Sequence, residues 1–375
     1  MIKMEEKMIT SLYQSLCNME TNIADRVALR WYDEKKQGVA EVHYAQYAQD
    51  LRRFVAFLRA EYGDVRGKRV AILARNSYQY VICMYGTVIA GAVAVPLNLG
   101  KDWDAISYEL GPHRAGVHSA GWRVRGAEPA LAETYGSILK PMDVFAAYEP
   151  AEDVTEVEDL SALAFIMFTS GTTGRSKGVM LSEKNFFSVM RAHTQIGEHM
   201  MAYKHEPDLV MSQYTVLPMF HLGAFICLFS WAHAGWALNV SSDIRNFYKE
   251  VKRMPSQAMA VVPVIMNSLH HDVMRGRKER LGELWVPICS SAMFDPQVML
   301  DMAEHGMFVV QTYGSTETCG DGIINYAQDA KHIGAVGQGN DYLDYKIAED
   351  GELCMRGDSI YAGLLQGPGG HRRGH

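Results

Sequence analysis

Five hydroxyl residues, three glycines and one lysine are gathered in residues 169–178, T-S-G-T-T-G-R-S-K-G. Side chains this small leave backbone N–H groups free to close around phosphate oxygens, and the lysine adds a point charge for them. The stretch is entered from the apolar run Ala164-Phe165-Ile166-Met167-Phe168, which reads as a buried strand. The P-loop of the NTPases, G-x-x-x-x-G-K-[ST], fails here on spacing. Counting from Gly171 puts Ser176 where the second glycine belongs, and Lys177 is followed by Gly178 instead of a hydroxyl residue. A nucleotide triphosphate is the expected ligand, held in another way.

A second stretch, Gln311-Thr312-Tyr313-Gly314-Ser315-Thr316-Glu317-Thr318, follows the apolar run Met307-Phe308-Val309-Val310. Open α/β sheets bind ligands at such strand ends. In order and separation the two stretches resemble the phosphate loop and the Y-G-x-T-E motif of the adenylate-forming superfamily: acyl-CoA synthetases, luciferases and the adenylation domains of peptide synthetases. The resemblance covers roughly residues 8–363. It implies an α/β fold, the multi-lobed N-terminal domain of these enzymes, with stacked α/β sheets and a small β-rich lobe.

The resemblance also implies roles. Thr169, Ser170, Gly171, Thr172, Thr173, Gly174 and Lys177 would hold the phosphates of ATP. Thr316 would take the α-phosphate, and Glu317 would hold Mg²⁺, a hard cation that favours carboxylate oxygen. Lys177, Thr316 and Glu317 form the expected catalytic set. Tyr313 would stack on adenine, with Gly314 allowing close backbone approach. Ser290-Ser291-Ala292-Met293-Phe294-Asp295-Pro296-Gln297-Val298 is similar to the family's G-G-A-P-L-S-P-E-V segment, which places Ser291 and Ala292 beside the adenosine. Serines stand here for both glycines, and Met293 for the first proline.

His221 closes the run Leu217-Pro218-Met219-Phe220-His221. On its own, a histidine in an apolar stretch is most often a satisfied core residue. The resemblance instead places it at the carboxylate and acyl entrance of acyl-CoA synthetases. Amino-acid-activating modules usually carry an aspartate here, and residues 218–225 hold no acid. Phe220, Leu222, Phe225 and Phe229 would suit an apolar chain. The reaction implied is attack of a substrate carboxylate on ATP, giving an acyl-adenylate that passes to coenzyme A. A small-molecule carboxylic acid is the expected partner, a medium- or long-chain fatty acid being favoured. The alternatives are an amino-acid or aryl-acid adenylation module and a truncated, non-catalytic nucleotide or acyl binder.

These residues need a scaffold. Residues 8–26 and 47–62 read as helices, 27–32 and 41–44 as strands, and 67–96 as strand–helix–strand, which implies parallel strands. The uncharged span 81–97 contains Gly86 and Gly91 and reads as a buried helix entering a buried strand, not a membrane span. Residues 111–148 read only as variable surface and helix, and the acidic run 152–159 as a solvated connector. Ser182 is a plausible N-cap, residues 222–237 form a long helical pattern, and 284–289 and 307–310 are strand-like.

With 375 residues the chain exceeds the size at which one core stops growing, so more than one lobe is expected. A net charge of −7 without a basic run argues against nucleic acid. Six scattered cysteines without C-x-x-C suggest neither disulfides nor zinc and fit a reducing cytoplasm. The expected division is an AMP-binding domain over residues 1–363 and an anomalous tail over 364–375, where the family would continue into a C-terminal lid domain with a catalytic lysine. One permitted codon series for the tail, read one base later, encodes Y-Y-K-D-P-E-A-T-A-E-A, which resembles the family's continuation. A one-base insertion near codon 363 and impaired turnover are the corresponding expectations.

Overall fold

The structure, a computed structural model, describes residues 9–111, 116–119, 139–169, 175–206, 209–292, 295–366 and 370–373. The chain begins with α1 (Leu12–Thr21), β1 (Val27–Asp33), β2 (Gly38–His43), α2 (Tyr44–Tyr62), β3 (Arg69–Leu73), α3 (Tyr78–Ile89), β4 (Val93–Pro96) and α4 (Trp103–Leu110). Then come β5 (Gly116–Ser119), β6 (Leu139–Pro141), β7 (Leu163–Thr169), β8 (Lys177–Ser182), α5 (Glu183–Lys204), β9 (Ser212–Thr215), α6 (Leu222–Ala234) and β10 (Ala237–Val240). It continues through α7 (Phe247–Glu250), β11 (Ala258–Val261), α8 (Pro263–Met274), β12 (Val286–Cys289), α9 (Pro296–Glu304), β13 (Val310–Ser315) and β14 (Gly320–Asn325). The last elements are β15 (Gln338–Gly339), β16 (Leu343–Ile347), β17 (Leu353–Gly357), β18 (Gly363–Gln366) and β19 (Gly370–Arg373).

Among the described residues, one sheet has the order β19-β18-β8-β7-β4-β3-β5-β6 and a second the order β15-β14-β13-β12-β11-β9-β10-β1-β2. The strands β3 to β6 and β9 to β13 pair in parallel, as the alternating elements predict, while antiparallel pairs flank both sheets. The hairpin β16–β17 stands apart as a small antiparallel pair.

Helices packed between the sheets lock the site's two halves together. Phe165 of β7 lies 4.6 Å from Phe186 of α5 and 5.2 Å from Phe225 of α6, ring centre to ring centre. Phe229 of α6 stacks 4.7 Å from Tyr85 of α3. Each fully buried ring contributes about 1.5–3 kcal/mol, more than an exposed ion pair, so this cluster fixes β7 against α6. The start of α5 is a capping box: Ser182 accepts from the Asn185 N–H, and the Asn185 side chain accepts from the Ser182 N–H at 2.8 Å.

Several expectations change. Helix α1 is shorter than residues 8–26, because Ser11 caps it and accepts the Gln14 N–H. Residues 41–44 split: the strand ends at His43, and Tyr44 already opens α2. Within 111–148 the described residues include β5, β6 and a short 3₁₀ turn at Val144–Ala147, and the expectation for 112–115 and 120–138 lies outside the described residues. The span 81–97 is α3 running into β4, and among the described residues no helix is long and apolar enough to cross a membrane. Residues 364–366, read as an aperiodic tail, continue β18, where Leu364 pairs with Val179 and Leu365 with Gly178.

The acidic run is more than a connector. Glu156 accepts from the Ser11 hydroxyl and the Gln14 amide, and the nearby Glu183 carboxylate accepts the Leu12 N–H at 2.7 Å. Burial pushes the Glu183 carboxyl up to about 7, only partly offset by the Leu12 N–H. A carboxyl that holds its proton more tightly in the folded state makes stability fall as pH rises from about 4.5 to about 7. Glu183→Gln should remove that slope and stabilise the neutral protein by roughly 3 kcal/mol. Urea unfolding at pH 4.5 and 8 checks this; an unchanged pH slope would contradict it.

Candidate active site

The phosphate-loop stretch begins and ends in paired strands. Thr169, ending β7, pairs with Lys177, starting β8, and the Thr169 hydroxyl donates to the Lys177 carbonyl at 3.4 Å. Pairing thus fixes both ends of the loop. The predicted binding residues Ser170, Gly171, Thr172, Thr173 and Gly174 lie outside the described residues.

Where the description resumes, the loop is tied to α4. The Arg175 guanidinium sits over the Tyr108 ring at 4.9 Å. The Ser176 hydroxyl donates to Glu109 Oε1 at 2.6 Å, and the same oxygen accepts from the Lys101 ammonium. Glu109 is buried, and among the described residues its Oε2 has no hydrogen-bond partner. Sequence reasoning missed Lys101 and Glu109. The only signal was the placement of charges at the edges of α4, because the contact to Ser176 spans 67 positions. Hydrogen bonds to charged groups are worth about 1.5–3 kcal/mol. Glu109→Gln should therefore weaken Mg·ATP binding by about tenfold, measured by calorimetry.

The second half lies at the β13–β14 hairpin. Residues Gln311 to Ser315 fall inside β13, not after it: the strand starts only at Val310, the last residue of the apolar run Met307-Phe308-Val309-Val310, whose first three residues are not strand. A bulge between Tyr313 and Gly314 pairs Tyr313 with Ile323 but Gly314 with Asp321. The turn holding Thr316 and Glu317 is clamped by Thr318, whose Oγ1 accepts from the Ser315 N–H at 2.9 Å while its hydroxyl donates to the Gly320 carbonyl at 2.8 Å. The Glu317 carbonyl accepts the Tyr361 N–H at 2.9 Å.

The two halves meet. A cavity of about 160 Å³ is lined by Thr169, His221 and Thr316, together with Met167, Phe168, Phe220 and Leu222. His221 is the N-cap of α6, and its ring lies 4.4 Å from that of Phe220. Removal of surrounding water holds His221 below the usual histidine range, and the Lys101 charge adds to this, so the ring is neutral at pH 7.

Ser291 and Tyr313 are also brought together. Cys289 pairs with Gln311 across β12 and β13, so both residues stand two positions beyond the same rung. Tyr313 is 48% exposed. Ser291 has φ of 77°, the left-handed region that favours glycine, at a position where the resembled segment has glycine. Ala292 follows it and is exposed.

Glu317 is half-buried, and among the described residues no cation pairs with its carboxylate. No cluster of three or more His, Cys, Asp or Glu suited to a metal occurs among the described residues. One carboxylate is a fitting donor for Mg²⁺, which keeps waters and takes its remaining oxygens from substrate phosphates.

A larger cavity of about 1250 Å³ continues from this region. Its floor is the nine-stranded sheet, with Gln213, Ala260, Ile288, Thr312 and Asp321 on neighbouring strands, and α5 and α6 wall it with Met190, Ile196 and Ile226. Gly223, two residues after His221, also lines it, so the two cavities adjoin at the start of α6.

Comparison with known proteins adds four findings. A family model described as AMP-binding enzyme matches residues 19–365. The chain is 26% identical over 337 residues to the long-chain-fatty-acid–CoA ligase FadD13 of Mycobacterium tuberculosis, covering 84% of this chain and 63% of that protein. Its fold superposes with a TM-score of 0.76 on the inhibitor-bound N-terminal domain of FACL13 from Mycobacterium tuberculosis, at 24% identity over 95% of this chain and 91% of that one. With o-succinylbenzoate coenzyme A synthetase (MenE) from Bacillus subtilis, in complex with ATP and magnesium ion, the TM-score is 0.75 at 19% identity, covering 93% and 72%.

Proposed function

The chain belongs to the AMP-binding enzyme family, and on that premise we propose that it takes part in AMP-forming activation of an apolar carboxylic acid, a medium- or long-chain fatty acid, as its coenzyme A thioester. The observation that carries the reading is the junction at which Thr169, His221 and Thr316 line one cavity, with a larger cavity lined from Gly223 of the same helix. The relatives are named for fatty-acid and succinylbenzoate chemistry, with ATP, magnesium and coenzyme A. ATP, Mg²⁺ and coenzyme A are accordingly the proposed cofactors here, and the cytoplasm the proposed compartment.

In this reading the loop N–H groups, its hydroxyls and Lys177 hold the phosphates in line with the incoming carboxylate. Tyr313, Gly314, Ser291 and Ala292 hold the adenosine. Thr316 orients the α-phosphate. Bound Mg²⁺, held by Glu317, would neutralise phosphate charge and make pyrophosphate a better leaving group. Because its ring is neutral, His221 acts as a hydrogen-bonding wall of the acyl entrance and does not draw the carboxylate electrostatically away from phosphorus. Positioning and charge neutralisation supply most of the acceleration, since prepaid orientation alone is worth about 7–11 kcal/mol.

A panel of acids tests the substrate side. In the presence of Mg·ATP, apolar acids of six to eighteen carbons should raise the unfolding midpoint of the 375-residue chain, and amino acids should not. Stabilisation by amino acids alone would overturn the reading.

A further inference from the structure

The larger cavity is not lined as a hydrocarbon tube would be. His193 on α5 and Asp321 on β14 both reach its wall, with side chains 13% and 16% exposed and His193 Nε2 3.2 Å from Asp321 Oδ2. The two are not aligned for a hydrogen bond, and His193 Nε2 has no hydrogen-bond partner although it is buried. No other ion pair or hydrogen bond of the Asp321 carboxylate is present among the described residues; its backbone carbonyl is taken by Asn340 and Tyr342. Gln213, fully buried on the same floor, leaves Oε1 unpartnered as well. Each such group forgoes a hydrogen bond that water would give it, and a polymethylene chain lying over them would supply none.

We propose that Asp321 and His193 select an acid whose acyl body carries a hydroxyl group, which donates to the Asp321 carboxylate and accepts from His193 Nε2. The inference rests on the acyl-activating reading above and narrows its substrate class. A hydroxyl suits the pair because it is donor and acceptor at once. An ammonium suits it less, because its three donors meet a carboxylate already faced by an imidazole and leave His193 Nε2 without an acceptor. The remaining wall, with Met190, Ile196, Ile226 and Trp231, accommodates the apolar part of such an acid. A site built to bond a substrate hydroxyl rejects the analogue lacking it far more strongly than an apolar slot rejects an added methylene.

The test uses acyl-sulfamoyl-adenosines, which mimic the adenylate without reacting, titrated into the 375-residue chain by calorimetry. The series comprises the octanoyl compound, its 4-, 6- and 8-hydroxy and 8-amino derivatives, and the cinnamoyl and 4-hydroxycinnamoyl pair. At least one hydroxy compound should bind about tenfold or more tightly than its parent. Asp321→Leu should erase that ratio by weakening the hydroxy compound, and His193→Phe, a second variant on a different element, should reduce it. Equal affinity for every hydroxy compound and its parent would overturn the proposal while leaving the acyl-activating reading in place. So would a ratio that survives Asp321→Leu, or preference for the amino compound. If no compound of the series binds, both the proposal and the reading beneath it fall.

Discussion

Gly314→Ala should cost the protein nucleotide binding by about two orders of magnitude and lower its unfolding midpoint. A Cβ at this position would lie 1.6 Å from the Gly320 carbonyl oxygen and 3.0 Å from the Gly322 nitrogen, whereas folded proteins tolerate essentially nothing under 3.0 Å. The obstruction is backbone, so no side chain can rotate away. The β13–β14 hairpin must open by about 1.4 Å, the difference between those two distances. Overpacking of this kind costs about 1–3 kcal/mol or more in stability. The same displacement moves Thr316 and Glu317, and losing hydrogen bonds to charged phosphates at about 1.5–3 kcal/mol each weakens binding by about 100-fold. Calorimetry with Mg·ATP, run well below the lowered midpoint, separates the two effects. Wild-type affinity in the variant would mean that the hairpin does not form the nucleotide site.

Glu317→Gln should leave the fold intact and remove most of the Mg²⁺ dependence of ATP binding. The carboxylate has no ion-pair partner among the described residues, so no buried cation is stranded by the change, and the turn around it is held by Ser315 and Thr318, not by Glu317 itself. Loss of a residue that merely supports a metal ligand costs 10- to 100-fold in metal affinity, so loss of the ligand itself should cost about 100-fold. Titrating Mg²⁺ at fixed ATP reads this directly. An unchanged unfolding midpoint with a right-shifted Mg²⁺ curve is expected, and an unshifted curve would take the metal away from Glu317.

Much of the site was legible because its chemistry is local. Small residues in 169–178, the Tyr313 to Glu317 run and the Ser182 cap each depend on neighbours within a few positions, so the residue types mark the candidates. The alternation of strand and helix patterns likewise yields parallel layers. What the sequence hid depends on long-range pairing. Glu109 touches Ser176 across 67 positions, and nothing in the composition of α4 marks it. Asp321 and His193 come from a strand and a helix far apart in the chain, and neither lies in the 218–225 window that decided against an amino acid. Residues 364–366 looked aperiodic because a three-residue pairing of β18 with β8 leaves too short a pattern to recognise.

The central claim is that residues 169–178 and 313–317 form two sides of one nucleotide site. It is tested most directly by a double-mutant cycle on Mg·ATP affinity, measured by calorimetry for wild type, Lys177→Ala, Thr316→Val and the pair. The account predicts one-to-one binding by the wild type, a loss of about tenfold or more in each single variant, and losses that do not simply add, as for groups acting on one ligand. Absence of saturable binding by the wild type, or ATP affinity that survives both substitutions, would contradict it.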